Sequence, residues 1–155
     1  QLLTQMFGFS HVNADSIPGK IVEEALSGEI IPLYNDEIIA EYNDVLRRKK
    51  FKFDRNSVHF LVDTIINRGI PIDAGAVDDI LPDASDVIFY AITMEKRKEN
   101  EAYLITGNLK HFPSRSFIVT LREMLEIMEI TELNGNSLIT VYLFVMNTVN
   151  KKQKE

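Results

Sequence analysis

An α/β domain with a mostly parallel central sheet is the fold class the sequence predicts, on three observations. Amphipathic helix-period segments alternate with short apolar runs, and the helical segments outnumber the runs. Parallel neighbours need crossover connections, which this alternation supplies. The chain has 155 residues, of which 45% are hydrophobic and 26% charged, enough to enclose one core and too few for two.

Each element has its own sequence signal. Pro18-Gly19 turns the chain into a helix whose Ile21, Val22, Ala25 and Leu26 share a face, and Ser27-Gly28 ends it. Ile30–Leu33 reads as a short strand, with Pro32 arguing for a strand end. Asn35 or Asp36 caps the next helix, along which Ile38, Ile39, Tyr42, Val45 and Leu46 form one stripe. A basic cluster follows at Arg47, Arg48, Lys49, Lys50, Lys52 and Arg55. Val58, Leu61, Val62, Ile65 and Ile66 make a third amphipathic helix, stopped by Gly69 and Pro71. Between Asp73 and Asp86 lie five aspartates and no Lys or Arg; Pro82-Asp83 is turn chemistry, and Ser85-Asp86 opens a helix to about Lys98. Ala102–Thr106 and Phe117–Val119 are strand candidates, and Thr120 with Glu123 forms a capping box for a helix through Met128. A β-branched and aromatic run, Leu138–Val149, precedes the charged tail Lys151–Glu155.

Composition narrows the chemistry. There is no Cys, which excludes disulfides, thiolate metal sites and thiol nucleophiles and fits a reducing, cytoplasmic compartment. A net charge of −6 argues against a generally basic nucleic-acid-coating protein, while leaving room for a local basic patch. No apolar run approaches the ~20 residues of a membrane span. Gln1–Ser10 is neither basic nor signal-like, and the absence of a starting Met suggests that the chain begins part-way into its reading frame.

In parallel α/β sheets ligands bind at the carboxyl ends of strands, so Asn35–Glu41 and Gly107–His111 are the segments to search. With about 100° per residue, Glu41 lies at the border of its helix's buried face, where an acid can enter a cleft; read alone, it is more often a solvated glutamate. Asp83 and Asp86 straddle a helix start, where carboxylates either cap free N–H groups or bind a hard cation such as Mg²⁺ or Mn²⁺. In Thr106-Gly107-Asn108-Leu109-Lys110-His111, Gly107 permits a tight exit from the strand, and Thr106 and Asn108 can hydrogen-bond a phosphate or a metal-bound water. His111 alone is more often a surface or half-buried histidine than a ligand.

The succession NDEIIAEYNDVLRRKKF, LPDASDVIFYAI, AYLITGNLKHFP and IVTLREMLEIM resembles the PIN-domain family, most closely the toxins of toxin–antitoxin modules. The resemblance spans about Ser16 to Met128. It implies a three-layer α/β/α, Rossmann-like fold and divalent-metal endoribonuclease activity. The family's helix acid falls on Glu41, its mid-chain acid on Asp86 with Asp83 preceding it, and its fourth position, often Asp, on Asn108 beside Thr106. The family's first acid stands in an Asp-Thr-Asn motif ending an N-terminal strand; Gln1–Val12 contains no Asp or Glu, so that strand reads as missing or altered. In this fold it lies centrally, and its loss would leave unpaired backbone unless another segment fills the gap. The run Leu138–Val149 is a candidate replacement strand, a dimer contact or a spurious extension.

The expectation is a PIN-like domain over residues 1–130 and a C-terminal extension over 131–155. Glu41, Asp83, Asp86 and Asn108 are the expected catalytic set, and Glu41, Asp86 and Asn108 the ligands of Mg²⁺ or Mn²⁺. Thr106, Lys110, Arg47, Arg48 and Lys49 are the expected RNA-binding residues, gripping phosphates independently of sequence; Arg115 is a weaker candidate. The expected partners are RNA, a cognate antitoxin and a second copy of the chain, without a membrane. The alternative is a catalytically inactive PIN-like module that binds an antitoxin, itself or RNA, favoured by the missing first acid and by the neutral Asn108. A phospho-acceptor domain needs an acidic pair at the end of its first strand, which this chain lacks, and no G-x-G-x-x-G supports dinucleotide binding.

Overall fold

A computed structural model of the chain describes residues 30–48, 54–133 and 142–147. Those residues form a mixed α/β fold: five short strands, all parallel, and four α-helices. In chain order they are β1 (Ile30–Tyr34), α1 (Asp36–Leu46), α2 (Arg55–Arg68), β2 (Ile70–Pro71), α3 (Val87–Arg97), β3 (Ala102–Thr106), β4 (Ile118–Val119), α4 (Leu121–Leu133) and β5 (Tyr142–Asn147). The helix expected after Pro18-Gly19 lies outside the described residues.

Local chemistry sets the helix boundaries. The Asn35 side chain accepts the Ile38 N–H at 2.8 Å and starts α1; Asp54 accepts from Ser57 at 2.6 Å and starts α2. Ahead of α4, Thr120 and Glu123 satisfy each other's backbone N–H at 3.1 and 3.2 Å, the reciprocal capping box. That helix runs to Leu133, past the expected Met128. Gly69 ends α2 because a Cβ there would collide with the carbonyls of Ile65 and Pro32.

Pro32 departs from expectation. Rather than ending the strand, it lies in the middle of β1, opposite Phe144 of β5. The pairing with β2 begins one residue later, at Leu33, so no β2 residue stands opposite the proline. Ile30 and Leu33 on either side of it are each at most 2% exposed and anchor the strand in the core.

The strand order is β2-β1-β5-β3-β4. The last strand among the described residues therefore occupies the middle of the sheet: Ile30 to Pro32 pair with Tyr142 to Phe144 on one side, and Ala102 to Thr106 pair with Leu143 to Asn147 on the other. Of the three roles open to Leu138–Val149, its middle takes the strand. The segment expected as an extension supplies the central strand, so the boundary at 130 does not separate it from the sheet.

Side chains alternate across the sheet as a pleat requires. Leu104 and Ile118 enter the larger apolar cluster, with Leu33, Ile38, Tyr42, Val58, Phe89 and Val145. Their successors Ile105 and Val119 enter a second cluster with Ile30 and Met124 of α4.

Candidate functional site

The site is organised by the sheet's carboxyl edge. β1 leads through α1 and α2 to β2 on one flank, while β3 leads to β4 on the other, so the chain leaves the two inner strands in opposite directions on either side of β5. Such a reversal of strand order opens a crevice at the strand ends. Asn147 closes β5 there, paired in register with Thr106 at the end of β3.

Asp86 is the best-defined polar side chain at this edge. It ends a single 3-10 turn, Ala84–Asp86, that feeds α3, and is 1% exposed. Although it sits at the N-cap of α3, its side chain makes no capping hydrogen bond; Oδ2 instead lies 3.2 Å from His111 Nδ1. The capping role belongs to Asp83, 8% exposed, whose Oδ1 accepts the Ser85 N–H at 3.0 Å. The two acids, alike in sequence, thus do different work.

The loop after β3 carries the partner. Thr106 is buried and its Oγ1 accepts the Asn108 N–H at 3.0 Å, so this hydroxyl builds the turn. The Asn108 carbonyl accepts the His111 N–H at 2.9 Å, closing a 3-10 turn over Leu109–His111. That turn joins Asn108 to Asp86 through His111, across 25 residues of sequence. Nothing comes near Gly107 where a Cβ would stand, so space does not dictate glycine at this exit.

Glu41 is half-buried on α1, consistent with its place at the border of the helix stripe. Its neighbour Tyr42 meets Phe89 of α3 with ring centroids 6.3 Å apart, which sets α1 beside the helix that Asp86 begins. The structure thus joins Asp86 with the Asn108 turn and brings the helix carrying Glu41 alongside. Among the described residues, no three His, Cys, Asp or Glu side chains form a group able to hold a metal ion.

The expected phosphate contacts are distributed unevenly. Arg47 is exposed at the end of α1, whereas Arg48 is engaged with Asp44 at 3.1 Å; Lys49 lies outside the described residues. Lys110 is exposed and lines a groove of about 440 Å³ with Ser114 and Arg115, over Phe112 and Ile118. Lys110 and Phe112 flank His111 in sequence, while neither His111 nor Asp86 lines the groove.

A second polar knot has no counterpart in the sequence reading. The buried Tyr90 donates its hydroxyl to Asp79 Oδ2 at 2.8 Å, and Arg115 reaches Asp79 Oδ1 at 3.6 Å. Burial, reinforced by the adjacent Asp79 carboxylate, pushes the Tyr90 phenol above its usual range. Tyr90 was not singled out in the sequence; a hydroxyl within the apolar segment Val87–Ile92 is the available signal, since a buried tyrosine needs a polar partner. His111 was singled out, but its spacing from Asp86 carries no local periodicity.

No helix among the described residues is long and apolar enough to cross a membrane. No protein-family model, curated protein or solved structure matches the chain.

Proposed function

We propose that this chain is a PIN-type, divalent-metal-dependent endoribonuclease of three-layer α/β/α architecture. The observation that carries the reading is the buried Asp86 carboxylate at the sheet's carboxyl edge, joined through His111 to the turn that carries Asn108. The architecture is supported by the division of successive β3 and β4 residues between two apolar clusters, one of which includes Met124 of α4.

The donor set suits Mg²⁺ or Mn²⁺ in kind: Asp86 and Glu41 offer carboxylate oxygens and Asn108 an amide oxygen, the hard donors these ions take. Fewer than three clustered acids is compatible with Mg²⁺, which is commonly held by one or two carboxylates together with substrate phosphates. When bound, such an ion supplies an activated water and neutralises charge on the scissile phosphate. Asp86 and Glu41 would hold it, and Asp83 fixes the turn that presents Asp86. Lys110, Arg47 and Arg115 would bind RNA phosphates and offset the repulsion between an acidic edge and RNA. Cys is absent from the chain, and a hydrolytic water makes a thiol unnecessary.

The test is cleavage of single-stranded RNA by the purified full chain with Mn²⁺ or Mg²⁺. Activity should vanish with chelator, and Asp86→Asn should lower it by roughly 10²–10³-fold, the scale for removing one electrostatic stabiliser of a transition state. Equal residual cleavage by wild type and Asp86→Asn defeats the reading.

A second reading is favoured by a specific observation. The described residues hold no three-acid metal group, and Asn108 is neutral, which suits a non-catalytic module that binds RNA, an antitoxin or a second copy. RNA binding without cleavage, unchanged in Asp86→Asn, is its signature.

A further inference from the structure

The groove that holds Lys110 and Arg115 combines three kinds of surface. The buried Phe112 and Ile118 and the exposed Leu109 give it apolar surface. Lys110 and Arg115 give it two exposed cations, and Glu123, in the first turn of α4, gives it one carboxylate. At about 440 Å³ it has room for a small ligand or for one unit of a polymer. The capping box holds the carboxylate in place: Glu123 Oε1 accepts both the Thr120 N–H at 3.1 Å and the Thr120 hydroxyl at 3.0 Å. A carboxylate has about four acceptor positions, so Thr120 fills those of Oε1, while Oε2 takes part in neither bond. An acceptor-only group whose rotamer is already set loses little entropy when a ligand's donors meet it.

We propose that this groove is a base-selecting subsite for a guanine nucleotide of single-stranded RNA, with Glu123 as the residue that sets the preference. A nucleotide matches all three surfaces: its phosphate meets the cations, its planar base meets the apolar side chains, and its base edge meets the carboxylate. Guanine is the RNA base whose Watson–Crick edge carries two adjacent donors, N1–H and the 2-amino group. Adenine and cytosine place a ring acceptor beside their amino group, and uracil sets its N–H between two carbonyls; those acceptors face a carboxylate unfavourably. The inference rests on the RNA-substrate part of the reading given above and involves no metal ion.

The experiment measures binding of the full-length chain to single-stranded RNA oligomers that differ only in a central G, A, C or U within a uridine tract, at fixed salt and with chelator present. The G oligomer should bind roughly tenfold or more tightly than the other three, the discrimination expected of a good bidentate contact to a base. Glu123→Gln, which still completes the capping box, should remove that preference. Glu126→Gln neutralises an exposed acid of α4 that does not line the groove and should keep it. Equal binding of the four oligomers by wild type, or a preference for G that survives in Glu123→Gln, overturns the proposal. Inosine in place of guanosine tests the same contact without altering the protein: it lacks only the 2-amino group, and wild type should bind it severalfold more weakly. Equal binding of inosine and guanosine oligomers overturns the role of Glu123. Guanosine monophosphate should compete far more weakly than the G oligomer, because it brings one phosphate where RNA brings several. Competition at equal affinity makes the groove a free-nucleotide site and overturns the assignment to RNA. Because nothing is cut in this measurement, a G preference in a chain that never cleaves RNA upholds the subsite and removes the nuclease reading, and cleavage without any base preference does the reverse.

Discussion

Asp79 and Asp86 come from the same acidic stretch, seven residues apart, and meet opposite fates. Asp86 is almost fully enclosed, and its observed side-chain partner is a histidine from the loop after β3, at the carboxyl edge of the sheet. Asp79 keeps a third of its side chain in solvent, accepts the hydroxyl of Tyr90 and faces the cation of Arg115. The first arrangement gathers the groups of the proposed metal site. The second fastens the stretch to α3 and to the loop before β4. What distinguishes them is the direction of the chain: Asp86 immediately precedes α3 and is carried to the strand ends, whereas Asp79 lies in the preceding loop.

The sharpest way to break this comparison is to exchange the consequences of the two acids. Asp86→Asn should lower metal-dependent cleavage by roughly 10²–10³-fold while the chain stays folded by circular dichroism. Asp79→Ala should do the reverse: it strips the acceptor from a buried tyrosine hydroxyl, a loss of about 1–3 kcal/mol, and leaves cleavage per folded molecule unchanged. At this chain length the melting temperature should fall by roughly 2–4 °C per kcal/mol. A cleavage defect in folded Asp79→Ala would merge the two regions into one site.

Tyr90→Phe sharpens the same contrast with an effect of similar size. It removes a hydrogen bond to a charged acceptor, about 1.5–3 kcal/mol, and Asp79→Ala should cost little more in its background because no orphaned hydroxyl remains. The pH dependence follows from the raised phenol. A group that holds its proton more tightly folded than unfolded contributes its full stability below the unfolded pKa of about 10 and loses it as pH rises through the folded value. Wild type should therefore lose stability in that alkaline window more steeply than Tyr90→Phe, as chemical denaturation at several pH values would read out. Parallel profiles would remove the coupling between Tyr90 and Asp79. At the acid end Asp54 acts with the opposite sign. The Ser57 backbone N–H lowers its pKa, so the stability it gives α2 is present above the ordinary carboxylate range and lost as pH falls through the folded value.

How much of this was legible in advance depends on the range of the signal. The caps at Asn35 and Asp54 and the box at Thr120 are contacts within three residues, and the sequence pattern exposes them because helix geometry fixes which groups meet. The AYLIT strand and the stripe of α1 were readable for the same reason. Pro32 inside β1 was not, because an interior place in the sheet depends on which strands flank it. The central place of Tyr142–Asn147 was readable only as a gap needing a strand: composition marks a β run, but strand order is a property of the whole chain. Within the candidate site, Asp86 and Asn108 could be named from their elements. The choice of Asp83 as the cap and Asp86 as the partner of His111 could not, since both sit at a helix start and only the return of the β3 loop separates them.

Arg115 carries the smallest expected effect and the most informative one about substrate. Its ion pair with Asp79 is long, and both side chains are substantially exposed, at 45% and 33%, so Arg115→Ala should cost at most about 1 kcal/mol, fading as salt rises. If Arg115 serves only to fasten Asp79, nothing else should change. Yet it also lines the groove with Lys110 beside His111. A cation there that contacts an RNA phosphate contributes about one unit to the salt dependence of binding. Titrating single-stranded RNA against wild type and Arg115→Ala over a range of salt separates the two roles. A slope reduced by about one, with melting temperature nearly unchanged, places Arg115 on the RNA path, and an unchanged slope confines it to the Asp79 knot.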